Sequence, residues 1–481
     1  MFDHQSSIKK YDALVVGAGI SGLTTALILS KEGKRVALFE RDRDIAPLIR
    51  PYKRKGCECS PGLHISGWMG DGDVIASFFK YLNVFDGVES ELNPKGFGNI
   101  IIGSNKYHFP RGYDNVTKSL LAYFPESNEA VYNYMRLIKE VNEETFFLNH
   151  KLAPELNNSI RFAGSKYYQY TLEACLKQYH ASQRLIDVLG MFNYILMGSK
   201  ADEVPFIVHA FVLGGFYQSP GIFTINGIKR LLSNFKRELS RFGVELLVGS
   251  DVDEIIIDNY RNAVGVKTTS GAKYFSSNII ASFNPKLLMR KVKQNVIRPV
   301  YRQRLDEAEN TFGLHVAFYQ IEDCQDIEFD NFIYYNDKLD IALGATVNHS
   351  GVNKLISIFL TDDYQIDTDN SEGRSNRALK KLELIEKILY QEIPGLQGKL
   401  VLLDFLKPWS FERYTKTVNG SAYGIKQTVS SMGFQHRVPI GGLYLVGQAI
   451  YPGFLGSMLS GFSLAFQMLE SNEFWSKVTN Q

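Results

Sequence analysis

Two glycine-rich segments, one near each end of the chain, restrict its fold more than any other feature. The first, Gly17-Ala18-Gly19-Ile20-Ser21-Gly22, follows the apolar run Ala13-Leu14-Val15-Val16. The second, Gly441-Gly442-Leu443-Tyr444-Leu445-Val446-Gly447-Gln448, lies close to the other end. G-x-G-x-x-G has a mechanical meaning only between a strand and a helix, and that context is present. Residues 11–40 read as a strand from Tyr11 to Val16, a helix from Ser21 to Glu32 and a second strand from Lys34 to Glu40. In such a unit Gly17 permits the tight turn, Gly19 lets the backbone approach a pyrophosphate, and Gly22 lets helix and strand pack closely. Ile20 and Ser21 open the helix, whose N-terminus offers unpaired N–H groups and the positive end of its dipole to phosphates.

Glu40 ends the second strand. Its carboxylate accepts hydrogen bonds from ribose hydroxyls and repels a 2′-phosphate, so a dinucleotide without that phosphate is expected, with Arg41 beside it. Near the C-terminus, Leu443 to Val446 reads as a short buried strand ending in Gly447-Gln448. Tyr451-Pro452-Gly453-Phe454-Leu455-Gly456 then leads through Ser457 and Met458 into an apolar helix, Leu459 to Leu469. Two strand–glycine–helix units at opposite ends of one chain point to a single dinucleotide held by both. That favours resident FAD over a nicotinamide dinucleotide in transit. Gly447, Gln448, Gly456, Ser457 and Met458 are the expected second set of cofactor contacts.

With 481 residues the chain has room for two or three domain-sized units. Its 53 basic and 51 acidic residues nearly cancel, which gives no argument for nucleic acid as a partner. The four cysteines, Cys57, Cys59, Cys175 and Cys324, are too few for a disulfide framework and fit a reducing compartment. Cys57 and Cys59 form a C-x-C pair with no second Cys/His cluster, so no metal site is expected. Met1 to Tyr11 has no long apolar stretch and does not read as a signal peptide. Two stretches, Pro205 to Ile228 and Val438 to Leu469, carry no charge and are long enough to span a bilayer. Each is broken by glycines, a proline and polar residues, so both read as buried segments beside a cofactor or apolar ligand. The first keeps a peripheral membrane contact open. A cytoplasmic location, peripheral to the inner face of a membrane, is the expectation.

Between the two glycine segments the pattern changes several times. Residues 113–200 read as mostly helical. Gly227 to Phe242 reads as a helix and Val244 to Val248 as a strand, and Val252–Ile257 with Ala263–Lys267 as a hairpin. Asn278 to Ser282 returns as a buried strand. Residues 312–360 alternate as strands, His315 to Tyr319 among them, and Arg377 to Glu392 reads as a helix.

These residues resemble the FAD-dependent phytoene desaturase, carotenoid isomerase and retinol saturase group of the flavin amine oxidase superfamily, nearly end to end. The opening is similar to that group's Y-D-x-x-V-V-G-A-G-x-x-G-L-x-x-A. The close, Gly442 to Gln448 with Pro452-Gly453 and Ser460-Gly461, is similar to its G-L-Y-x-x-G-x-x-x-x-P-G-x-x-x-x-x-x-S-G. Phe216 to Ile222, Pro408 to Tyr414 and Gly420 to Gly424 resemble its internal signatures. Val252 stands where a backbone typically meets the adenine. Two departures stand out: Arg41–Arg54 contains Ala46-Pro47 where the group has Gly-Gly, and Cys59–Leu63 lacks the aspartate of F-D-x-G-P. The resemblance implies an α/β fold, with a Rossmann-like FAD-binding domain on a parallel sheet interwoven with a mixed-sheet substrate domain and a helical cap. The expected segments are 1–112, 215–300 and 420–481 for FAD, 113–214 for the cap and 301–419 for substrate.

The implied chemistry is hydride transfer between an apolar carbon skeleton and flavin N5, which needs a proton donor or acceptor nearby. His64, His315 and Tyr414 are the catalytic candidates, with His209 and Arg413 as lesser ones; each has an alternative as core, cavity wall or solvated surface. The cluster Arg50, Lys53, Arg54 and Lys55 either meets phosphates or lipid headgroups or is a solvated loop. Three functions remain open. One is a desaturase, isomerase or saturase of a long apolar polyene or isoprenoid. The second is an amine oxidase-like dehydrogenase of a nitrogen-containing or carrier-tethered substrate, for which Tyr444, Tyr451 and Phe454 would supply an aromatic cage. The third is a flavin-stabilised scaffold.

Overall fold

The uninterrupted apolar runs Ala13–Val16 and Val36–Phe39 are buried at every position. Strands of that kind are covered on both faces, as in a parallel sheet flanked by helices. In the computed structural model they form the centre of a five-stranded parallel sheet in the order Glu245–Leu247, Val36–Phe39, Ala13–Val16, Ile279–Ala281, Leu443–Leu445. The structure describes residues 10–480 except 89, 94, 145–165, 294, 323–329, 337–340, 351–352, 364–370, 432 and 470–471. Residues 1–9 and Cys324, named in the sequence reading, lie outside the described residues.

Three distant stretches of chain thus build one sheet. The helix Ile20–Lys31 lies against it and packs on the C-terminal helix Gly453–Leu469. Small residues make that approach possible: a Cβ on Gly461 would stand 2.9 Å from Thr25 Oγ1 and 3.0 Å from Thr24 Cγ2. The hairpin expected at 252–267 is present as Val252–Ile257 and Ala263–Thr268, and Lys273–Phe275 adds a third strand.

A seven-stranded mixed sheet forms the second layer, in the order Leu400–Leu406, Gly313–Ile321, Asn353–Asp362, Ile341–Ser350, Phe332–Asn336, Gly98–Ile102, Asn105–Phe109. The last two strands lie within the 1–112 segment, yet they extend this sheet through the parallel pairing of Phe332–Tyr335 with Asn99–Ile102. Both faces of the sheet are covered. Ala317, Tyr319, Ile321, Ile356, Ile358 and Leu360 pack under the helix Ser371–Glu392 through Ile385, Ile388 and Leu389. The alternate residues Val316, Phe318 and Leu355 face inward with Cys57, Cys59 and Ile225.

Helices Tyr113–Tyr123, Asn128–Glu144, Leu172–Lys177, Gln183–Met197 and Phe206–Gln218 form the cap. The uncharged stretch from Pro205 to Ile228 forms the last of these, buried over nearly its whole length, then the strand Gly221–Phe223 and the start of the helix Ile225–Arg241. No described helix is long and apolar enough to cross a membrane.

Candidate active site

The first glycine segment sits at the carboxyl ends of the parallel strands, where ligands bind in sheets of this kind. Gly17 has φ +102°, and a Cβ there would stand 2.8 Å from the carbonyl oxygen of Ser282. A Cβ on Gly22 would lie 2.0 Å from the carbonyl oxygen of Gly17. Gly19 is different: its Cβ would meet nothing nearer than Ser282 Oγ at 4.0 Å and would stand in the open cleft. Gly19 is also the N-cap of the helix Ile20–Lys31 and no side chain caps it, so the first N–H groups keep free capacity for an anion. These three positions fit a pyrophosphate. The dinucleotide would supply the redox chemistry, and the chain around it supplies shape and polarity.

Glu40 is buried, with Oε2 accepting from Ala18 N at 2.8 Å and Oε1 from Asp42 N at 2.9 Å. Burial raises its pKa against the effect of these two bonds. Each carboxylate oxygen retains a lone pair for a ribose hydroxyl. Beyond it, Arg41 donates through Nη2 to the carbonyl of Tyr414, and Lys291 donates to the carbonyl of Val252. Burial lowers the Lys291 pKa, opposed by Asp251 and Asp253. Arg41, Val252, Lys291, Tyr414 and Lys416 all line this end of the cleft, so the expected adenosine contacts converge. Tyr414 is 58% exposed, which places it at the mouth.

The second glycine segment meets the first. Gly447 has φ +113°, and a Cβ on it would be 3.3 Å from Ser21 Oγ. Ser21 and Ser282 share a hydrogen bond of 2.8 Å across the two loops. The N–H of Gly447 donates to Ser460 Oγ at 2.8 Å, so this turn is fixed by its own helix rather than left open as a donor. Gly447, Gln448, Gly453, Phe454 and Ser457 line the cleft. Gly456 and Met458 do not: Gly456 packs on the backbone of Tyr451, and Met458 is buried in the core.

The two departures from the family pattern have local answers. Ala46 takes the glycine-like left-handed conformation, φ 51°, donating to Ala18 O at 2.9 Å, while Ile49 N and Arg50 N bond back to its carbonyl. That backbone costs a non-glycine residue about 1 kcal/mol, and the loop tolerates it. The segment Pro61 to Ile65 packs beneath, with Gly62 so close that a Cβ would lie 2.4 Å from Leu48 O. This brings His64 into the cleft. Its ring is buried and meets Phe359 edge-on, centroids 4.8 Å apart.

From there the cleft continues under the inner face of the seven-stranded sheet. Phe97, Ile195, Leu196, Ile333, Gly344 and Phe359 line an apolar chamber continuous with the dinucleotide groove. Tyr423 lines it as well, its hydroxyl turned onto Ile195 O at 2.9 Å. Of these chamber residues only Tyr423, within Gly420–Gly424, belonged to a motif; the others are single inward positions on strands, one helix and the turn before Gly98.

His315 is not among them. Leu314 lines the cleft, and His315, one residue on, points to the opposite face. There His315 Nε2 bonds Asp362 Oδ2 at 2.9 Å, and Arg377 binds the same carboxylate at 2.8 and 2.6 Å, with Lys381 at 3.2 Å. Burial lowers the His315 pKa, and its hydrogen bonds hold Asp362 well below the usual carboxylate range. This is an ion network tying the sheet to its covering helix. His209 is also remote, fully buried between Tyr134 (2.7 Å) and Asn193 (2.8 Å), and burial lowers its pKa to about 3. Three of the four basic residues at 50–55 dock their loop on the protein: Arg50 pairs with Asp42, Arg54 with Asp404, and Lys55 donates to Leu402 O, while Lys53 is exposed.

A glycine loop at the carboxyl ends of a parallel sheet, closed by a second glycine turn and opening into a chamber under a mixed sheet, defines a flavin-dependent oxidoreductase. Residues 12–461 match the FAD dependent oxidoreductase family, and the chain belongs to it. It is similar to prolycopene isomerase of Daucus carota, with 22% identity covering 92% of this chain and 77% of the relative. It is also similar to all-trans-retinol 13,14-reductase of Homo sapiens, with 20% identity covering 98% and 87%. Among solved structures, an oxidoreductase from Methanosarcina mazei superposes with a TM-score of 0.67 at 17% identity, covering 96% of this chain and 100% of that one. Putrescine oxidase bound to putrescine gives 0.65 at 14%, with coverage of 96% and 100%. At such identities the solved structures speak for the fold alone.

Proposed function

We propose that this chain is a desaturase, saturase or isomerase of a long apolar polyene or isoprenoid. The observation that carries the reading is the chamber: an apolar channel, walled by aromatic and branched side chains, that runs directly from the dinucleotide groove. Bound FAD would supply hydride exchange at N5. The chain's part is to bind an extended hydrocarbon, to exclude water and to handle one proton. His64 is the proposed proton-handling residue, because it lines the cleft where groove and chamber meet. Phe359, packed edge-on to the imidazole, holds its orientation. A substrate of this kind resides in lipid, so a peripheral membrane contact during loading belongs to the same proposal.

The three aromatic residues of the amine reading do not gather in the cleft: Phe454 lines it, Tyr451 is buried outside it, and Tyr444 borders a groove at the amino ends of the strands. Mass spectrometry of ligand extracted from the purified protein tests the proposal. A free polyene or isoprenoid is expected; a nitrogen heterocycle or amine would overturn it.

A further inference from the structure

One polar spot interrupts the apolar chamber. The strands Phe332–Asn336 and Ile341–Ser350 run antiparallel with Phe332 opposite Ala345 and Ile333 opposite Gly344. Continuing that register sets Asn331 opposite Thr346, both on the face that lines the chamber. The Asn331 amide is oriented by Val347 N, which donates to its Oδ1 at 3.2 Å. Its Nδ2 is therefore aimed away from that bond, and it has no partner among the described residues. Asn331 is 7% exposed. Beside it, Thr346 Oγ1 is buried with no hydrogen-bond partner among the described residues. A buried donor left unmade is unfavourable and calls for an explanation. Here Thr346 supplies one, beside the Asn331 amide on the wall of the same cavity.

We infer that Asn331 and Thr346 form a subsite for a neutral oxygen, a hydroxyl or carbonyl, on the polyene substrate, an inference that rests on the polyene reading above. Nδ2 and the threonine hydroxyl both donate to the same oxygen, and the threonine hydroxyl also accepts from an alcohol. A carboxylate is disfavoured: Arg41, Lys291 and Lys416, the cations that line the cleft, gather at its adenosine end. The pair lies two residues along the strand from Gly344, roughly 7 Å at the rise of a β-strand. Gly344 is level with Phe359 and hence with His64. The subsite therefore fixes which carbons of the chain lie near the reacting position, and it sets apart an oxygenated polyene from a plain hydrocarbon.

The test uses the FAD-loaded protein and two probes, a C20 polyene alcohol and the hydrocarbon of the same skeleton. Affinity is read from the perturbation of the flavin spectrum. The alcohol is expected to bind about tenfold tighter than the hydrocarbon. Thr346→Val, which keeps shape and removes the hydroxyl, is expected to remove most of that preference without changing the hydrocarbon's affinity, and Thr346→Ser to keep it. Equal affinity for the two probes in the unaltered protein would overturn the subsite while leaving the polyene reading standing. So would Thr346→Val weakening both probes alike, which marks a packing effect. Binding of neither probe, with an amine binding instead, would overturn both.

Discussion

Gly22→Ala is the substitution whose effect follows most directly from the geometry. The new Cβ would start 2.0 Å from the carbonyl oxygen of Gly17, against an ordinary contact of at least 3.4 Å. Both partners are backbone, so no rotamer change relieves the clash, and the helix Ile20–Lys31 must retreat by about 1.4 Å, the difference between those two values. Retreat is opposed by the C-terminal helix, which touches Thr24 and Thr25 at Gly461. A phosphate bond of about 2.9 Å lengthened by that amount is no longer a hydrogen bond. Losing two such charge-assisted bonds removes roughly 3–6 kcal/mol, or about two to four orders of magnitude in FAD affinity. Overpacking should lower stability by about 1–3 kcal/mol besides. The assay is the ratio of 450 nm to 280 nm absorbance after gel filtration, followed by FAD titration into the deflavinated protein. Gly33→Ala serves as control, since Gly33 has positive φ and nothing within 4 Å of its missing Cβ. It should keep its flavin. A Gly22→Ala protein that purifies fully yellow, with an unchanged FAD dissociation constant, would show that this glycine does not set the approach of helix to cofactor.

Three further outcomes are expected. His64→Phe should retain FAD and lose about 10²–10⁴-fold in turnover, measured by single-turnover kinetics with a polyene; an unchanged rate would remove His64 from the chemistry. Asp362→Ala should leave Arg377, Lys381 and His315 without their shared anion and lower stability by about 3–5 kcal/mol, measured by denaturant unfolding, while the folded protein keeps its FAD spectrum. The pKa of His209 is about 3 in the fold against about 6.5 unfolded, so only the unfolded state binds this proton between those values. Its contribution is present above pH 6.5 and lost as pH falls, by roughly 2–3 kcal/mol at pH 4.5. His209→Gln should shrink the stability difference between pH 7 and pH 4.5 by that amount.

The cofactor half of the site was legible because its chemistry is local. Strand, turn, helix and terminal acid lie within residues 11–40, and each glycine answers to a contact only a few residues away or to one neighbouring loop. The second glycine turn carries the same signal. The substrate half is built otherwise. Phe97, Ile195, Ile333, Gly344 and Phe359 come together through long-range pairing, such as the parallel register of Phe332–Tyr335 on Asn99–Ile102, which leaves no mark on the sequence. His315 shows a second limit. The alternation along Gly313–Ile321 separates two faces, but both are apolar because the helix Ser371–Glu392 covers the outer one. Nothing in the strand itself tells which face looks into the chamber. Gly456 and Met458 are taken up by packing, the one on the Tyr451 backbone and the other in the core, and the missing Gly-Gly mattered little, because Ala46 adopts the left-handed backbone conformation that favours glycine.

One cleft holding FAD and an apolar polyene in reacting contact must exchange hydride or isomerise the polyene in at least one flavin oxidation state. The decisive measurement mixes the FAD-loaded protein, oxidised in one sample and reduced in another, with a polyene under anaerobic conditions, following 450 nm absorbance and the mass and spectrum of the polyene together. The expected result is one of three linked signatures. The oxidised flavin bleaches as the polyene loses two hydrogens, the reduced flavin reoxidises as the polyene gains two hydrogens, or the polyene changes its spectrum at constant mass with the flavin unchanged. A flavin that keeps its oxidation state in both samples, beside a polyene of unchanged mass and spectrum, would contradict the shared cleft.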